Sequence, residues 1–163
     1  MEGMNLFAIF GSALITLIMG FICYSPKVFG TIWMREAGLT EEDMQKGSMA
    51  KVFIITYIVS LMMTFIIMPL TIHQTGAYGM IGGDPSVAGI KPSFAAFMAD
   101  YGTAFRTFKH GALHGTVTGV FLIFPIMAIN GMFERKSWKY ILINSGYWTV
   151  TLALMGGILC QWL

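Results

Sequence analysis

Residues 52–72 read VFIITYIVSLMMTFIIMPLTI, a run without one formally charged side chain. A helix needs roughly 20 mostly apolar residues to cross a hydrocarbon core about 30 Å thick. This run meets that length. It shows no alternation of polar and apolar positions, so it does not read as a strand of a membrane barrel. Working outward, the same reading applies between Glu2 and Lys27, from His110 to Phe133, and from Tyr140 to Leu163. The sequence therefore predicts an all-α polytopic membrane protein. Its four transmembrane helices form one bundle, with spans at 4–24, 52–72, 111–131 and 140–161. The inner connection is 25–51, the outer loop and amphipathic helix occupy 73–110, and the inner turn is 132–139.

Composition points the same way. The chain has 163 residues, of which 56% are hydrophobic and 11% charged, and its mean hydropathy is +0.70. A soluble domain carries about 25% charged residues, so this complement could not cover a water-soluble globule. The net charge of +2 gives no reason to expect nucleic acid or another polyanion as a partner. The expected surroundings are a lipid bilayer.

Lys27, Arg35, Lys46 and Lys51 follow the first span, and Arg135, Lys136 and Lys139 follow the third. Lys91, Arg106 and Lys109 lie in the opposite connection. The positive-inside bias then places both termini outside, although Arg106 and Lys109 oppose it. No basic leader or small-residue cleavage pattern precedes the first span, which reads as a retained helix. Cys23 and Cys160 fall at opposite ends of their spans, too far apart for a bridge that needs Cα atoms within about 7 Å.

The connections carry their own patterns. Tyr24-Ser25-Pro26 ends the first span, and Val28, Phe29, Ile32 and Trp33 suit a short interfacial helix with Trp33 as anchor. Thr40 before Glu41, Glu42 and Asp43 is a helix start with a hydroxyl cap. Residues 73–92, rich in Gly and Pro, read as an aperiodic loop. From Ser93, the residues Phe94, Phe97, Met98, Tyr101, Phe105 and Phe108 recur at helical spacing. That helix, over 93–109, either lies on the outer surface or folds over the bundle as a lid.

Small residues recur every four positions within the spans: Ala8, Ser12, Thr16 and Gly20; Thr56, Ser60 and Thr64; Gly111, Gly115 and Gly119; Ser145, Thr149, Ala153 and Gly157. Such stripes let helices approach and let hydroxyls bond across them. They serve packing within the chain or, for one stripe and first of all the Gly111 one, an oligomer interface. Pro125 is expected to free the Phe121 carbonyl and kink the third span.

His110 and His114 stand one turn apart, the spacing two imidazoles need to share a metal. His73 belongs to the same membrane face, with Asp100 or water as a fourth ligand. The plainer reading is three interfacial histidines hydrogen-bonded to neighbouring helices. A haem would need histidines on facing helices at similar depth. No Asp, Glu, Lys or Arg interrupts the four runs, which argues against coupled transport. Asn130, Asn144 and Tyr147 remain as polar groups that could face a neutral solute. No nucleophile–base–orienter set is present, and no catalytic residue is expected.

Tyr24-Ser25-Pro26, Phe29-Gly30, Trp33 and Gly38-Leu39-Thr40 together resemble a bacterial membrane family called domain of unknown function 1761. Ala50-Lys51, His110-Gly111, His114-Gly115, Phe133-Glu134-Arg135, Asn144-Ser145-Gly146-Tyr147-Trp148 and Met155-Gly156 extend the resemblance along the chain. It implies a four-span protein of the bacterial inner membrane and no assigned chemistry. The expectation from sequence is a non-enzymatic bundle protein, a homo-oligomer or a subunit of a larger membrane complex, with no cofactor. The alternatives are a channel or carrier for a small neutral solute, and an outer-surface metal or haem site on the histidines.

Overall fold

The computed structural model describes residues 5–163; Met4, the first residue of the expected first span, lies outside them. The described residues are helical, with no strand among them. Four helices are long and apolar enough to cross a membrane. The first is α1 (Leu6–Cys23), capped by the Asn5 side chain, which accepts from the Phe7 N–H. Two short helices follow, α2 (Gly30–Ala37) and α3 (Glu41–Gln45). The second span, α4 (Met49–Thr71), begins at a Ser48 cap. Next come α5 (Gln74–Met80) and α6 (Pro92–Tyr101). The third span is composite: α7 (Phe108–Thr118), a π-helical turn (Gly119–Ile123) and α8 (Phe124–Phe133). The fourth is α9 (Trp138–Trp162).

The centre of the bundle is α9. It packs against α1, α4, α7, the π turn, α8 and α2. Half of its apolar window is buried, against 17% for α4 and for the third span. Its buried face runs through Ile141, Ser145, Leu152, Met155, Gly156, Leu159 and Cys160. The outward faces of α1 and α4 carry large exposed apolar side chains such as Phe7, Phe21, Ile54, Met62 and Phe65. A lipid-facing helix should look this way, because hydrocarbon solvates such side chains as well as a protein core does.

The glycine stripe of the third span is pressed onto α9. A Cβ at Gly111 would strike the Gly156 carbonyl oxygen, one at Gly115 the Leu152 carbonyl oxygen, and one at Gly119 the Thr149 Cα. Only hydrogen fits at these three places. Ser12 and Thr16 of the first span are also buried, whereas a Cβ at Gly20 would meet nothing within 4 Å.

Three expectations are corrected. Residues 74–80 form α5 inside the stretch read as loop. The helix expected over 93–109 stops at Tyr101, and Phe105 at φ 61° turns the chain before Thr107 caps α7. Stripe hydroxyls mostly bond within their own helix. Ser60 donates to the Thr56 carbonyl, Ser145 to Ile141 and Thr149 to Ser145. In hydrocarbon the backbone four residues back is the nearest acceptor, and it requires no partner helix. Pro125 follows the π turn, in which the Phe124 N–H reaches the Gly119 carbonyl. Its missing N–H thus falls where the ladder has already widened.

Candidate metal centre

The chain leaves α4 at Thr71 and re-enters the bundle at Phe108, so the end of α4 and the start of α7 share one end of the molecule with the last turn of α9. His73 sits just past α4, between Ile72 and the first residue of α5. His110 and His114 stand on successive turns of α7, whose first turn is capped by Thr107 accepting from the His110 N–H. The fold brings all three together. One ligand nitrogen from each lies within 4.8 Å of the others, and the ring centroids are 4.5–4.9 Å apart.

The His73 and His110 Nε2 atoms are 2.9 Å apart, one donating and the other accepting. Among the described residues, the three rings form no other hydrogen bond through a ring nitrogen. Neutral imidazoles each carry a lone pair, and here three of them converge with little to occupy them. Asp100, expected as a possible fourth ligand, is exposed on α6 and does not join the cluster. Nor does Cys160, whose thiol donates to the Thr71 and Phe105 carbonyls.

A scaffold of backbone contacts holds the cluster. The close approach of Gly111 and Gly115 to α9 sets the depth and rotation of α7, and with them the positions of His110 and His114. The Arg106 guanidinium donates from Nε to the Cys160 carbonyl at 2.8 Å. Gln161 accepts from the Phe108 N–H at 2.9 Å. A cation at the carbonyl-bearing end of α9 is favourable to the helix dipole. Arg106 therefore has a local structural reason to lie on this side, despite opposing the charge bias.

Two residues matter here that sequence reasoning missed. Gln74 donates from Nε2 to the Tyr101 and Ala104 carbonyls, at 2.8 and 2.9 Å. Those two bonds fix the amide's orientation, because a flip would set oxygen against oxygen. Its Oε1 is buried and has no partner. Phe105 stacks on the His110 ring, with centroids 5.0 Å apart and planes inclined by 27°. For a bulky side chain its positive φ is a strained conformation. It is held by the Thr107 N–H and Cys160 thiol on its carbonyl and by Gln74 on the residue before. The Gly/Pro-rich context concealed Gln74, and Phe105 fitted the helical spacing so well that nothing marked it as a turn.

His73, Gln74, Phe97, Tyr101, Ala104 and Phe105 line a pocket of about 200 Å³ beside the cluster. The polar residues of the other end are placed differently. Asn144 accepts from the Tyr24 hydroxyl at 2.7 Å and donates to the Tyr140 carbonyl at 2.8 Å. The Tyr147 hydroxyl donates to the Thr16 carbonyl at 2.9 Å. Both residues are buried, while Asn130 is exposed on α8.

A family model described as "Protein of unknown function (DUF1761)" matches residues 7–160, nearly the whole chain. The chain belongs to this family. No curated protein and no solved structure matches it. The DUF1761 match covers nearly all of the four candidate membrane helices and includes the three histidines, so the cluster lies within the family's unit and not on an appendage.

Proposed function

We propose that this DUF1761 protein is a membrane-embedded metal-binding protein in which His73, His110 and His114 hold one transition-metal ion. The convergence of three ring nitrogens within 4.8 Å carries the reading. A tetrahedral ion with metal–nitrogen bonds of about 2.0–2.1 Å needs donors about 3.3 Å apart. The 2.9 Å pair and the 4.8 Å limit bracket that spacing. Imidazole donors suit zinc, copper, iron or nickel and do not suit magnesium or calcium. Three protein ligands with a further position open is the pattern of a reactive or exchanging site, not of a closed structural one. The geometry favours a bare ion over haem, because axial histidines stand on opposite faces of a porphyrin and these rings crowd together.

All three donors come from one chain, so the site calls on neither a second copy nor a partner subunit. The self-association expected from the sequence is then a separate property. The buried hydrogen bonds of Asn144 and Tyr147 supply no support for a solute path past them. The Lys and Arg distribution, read with the resemblance to a bacterial family, supports residence in the bacterial inner membrane. Both termini and the histidine cluster would face outward.

The test is metal binding by the purified, chelator-stripped full chain. One Zn²⁺ or Co²⁺ per chain is expected. His73→Ala, His110→Ala and His114→Ala should each weaken binding by about 100-fold or more, beyond what loss of an outer-shell partner causes. Stripped protein that takes up none of Zn²⁺, Co²⁺, Cu²⁺ or Ni²⁺ would overturn the reading. So would a triple alanine variant that binds as tightly as the parent.

A further inference from the structure

We infer that the ion's open coordination position takes a small organic carboxylate whose apolar body lies in the pocket beside His73. The inference rests on the metal reading above and adds the chemistry of what the ion binds. Charge comes first. Three neutral imidazoles leave the charge of a divalent ion uncompensated, and among the described residues no carboxylate or thiol belongs to the cluster. The pocket wall is made mainly of Phe97, Tyr101, Ala104 and Phe105. His73 is exposed, so the open position can be reached from outside, and an anion there compensates the ion's charge as water alone does not.

The pocket then selects the rest of the ligand. His73 is both a cluster donor and part of the pocket wall, so cluster and pocket share that side chain, and the inference places the carboxylate at their junction. The volume of about 200 Å³ is on the scale of a single ring, since an apolar cavity of about 150 Å³ accepts benzene. Aromatic walls suit a flat body. The pocket is also preformed. Gln74 ties the carbonyls of Tyr101 and Ala104, and Phe105 is stacked on His110, so little ordering accompanies binding. The ligand class is a monocarboxylate with one ring or a few carbons behind it.

Cobalt-loaded full-length protein makes this measurable, because ligand-field bands report directly on the coordination shell. Benzoate should shift those bands saturably, and acetate should do so at least about tenfold more weakly for want of an apolar body. Benzyl alcohol should leave them unchanged. Ala104→Leu, which fills the pocket, and Phe97→Ala, which removes one wall, should each weaken benzoate about tenfold while acetate and cobalt affinities stay put. Benzoate should bind more tightly than decanoate, and the reverse, which points to a membrane fatty acid, would overturn the assignment of a small acid. Cobalt bands that ignore benzoate, or benzoate affinity untouched in both variants, would overturn the inference and leave the metal site standing. Failure of the stripped protein to take up any of Co²⁺, Zn²⁺, Cu²⁺ and Ni²⁺ would remove the metal site and this inference together.

Discussion

At the Tyr24 end of the bundle, polar side chains reach across helices and close on one another. At the histidine end, helices meet backbone to backbone, Arg106, Gln161 and Cys160 bond the backbone of neighbouring elements, and the three imidazoles converge without closing. Tyr24 bonds Asn144, Tyr147 bonds the Thr16 carbonyl, and Lys136 reaches the Ala37 carbonyl at 3.2 Å. Trp33 completes that end by meeting the Tyr24 ring edge to face at 4.9 Å, and its indole N–H is buried and unpaired. The other end has Gly111 against Gly156, a strained Phe105, an orphaned Gln74 oxygen, and three imidazoles sharing one hydrogen bond. A closed polar network stabilises a fold and offers nothing to a ligand. An open one has binding capacity in hand, and its geometry must be set by something other than its own polar bonds. Here the glycine stripe of α7 does that, together with the Arg106 and Gln161 bonds between α7's approach and the end of α9.

The most forceful way to break the comparison is therefore at that stripe. Gly111→Val drives a side chain into the backbone of α9, where nothing flexible can yield. A loss of about 3 kcal/mol is expected, read as a lower unfolding midpoint in detergent. Zinc binding should weaken in the same variant, because His110 is the neighbouring residue. Gly20→Ala is the control, since space around it is open, and its stability should stay within about 0.5 kcal/mol of the parent. Equal effects of the two substitutions would mean that the stripe of α7 is no more special than that of α1.

The opposite end sharpens the contrast with a smaller effect. Tyr24→Phe removes the hydroxyl that bonds Asn144 and leaves the ring in contact with Trp33 and Tyr147. Interhelical hydrogen bonds in membranes contribute about 0.6 kcal/mol on average, with a maximum near 1.7, so a loss of about 1 kcal/mol is expected. Asn144→Ala should cost a similar amount. Neither should alter zinc affinity, because the groups involved sit at the far end of α9. A weakened metal site in Tyr24→Phe would show the two ends to be coupled.

What could be read from the sequence follows the same division. The spans were legible because charge is absolute in hydrocarbon: an uncharged run of twenty residues has few other uses. The pairing of His110 with His114 was legible because helical spacing is local. The addition of His73 followed only from placing both at one membrane face, and the distances between them depended on how α4 and α7 splay. The partner of the glycine stripe could not be read at all. Gly, Ala, Ser and Thr recur in every span, and which stripe meets which helix is decided by three-dimensional fit. The end of α6 at Tyr101 was hidden for a different reason. Phe105 and Phe108 continued the apolar spacing although one faces His110 across a turn and the other starts a new helix.

The smallest effect expected lies at the rim of the closed end, in the connection that carries α3. Thr40 and Asp43 form a reciprocal cap. The Thr40 hydroxyl accepts from the Asp43 N–H, and the Asp43 carboxylate accepts from the Thr40 N–H at 3.1 Å. Lys46 lies 2.6 Å from the same carboxylate. The Lys46 ammonium first, and the Thr40 hydroxyl and N–H after it, hold the Asp43 carboxyl down at about 2, against an ordinary 3.8. The native connection thus prefers the ionised form more strongly than the unfolded chain does. Its contribution is fully present above pH 3.8 and is lost as the pH falls through about 2. An NMR titration of the Asp43 carboxyl should give a midpoint near 2, with the Thr40 amide shifting in step. Thr40→Ala should return the midpoint toward the ordinary range and fray α3, while the unfolding midpoint of the bundle and the zinc affinity remain unchanged. An Asp43 midpoint near 3.8 in the parent protein would show that this cap is not formed, and that order at the closed end stops at the Tyr24 network.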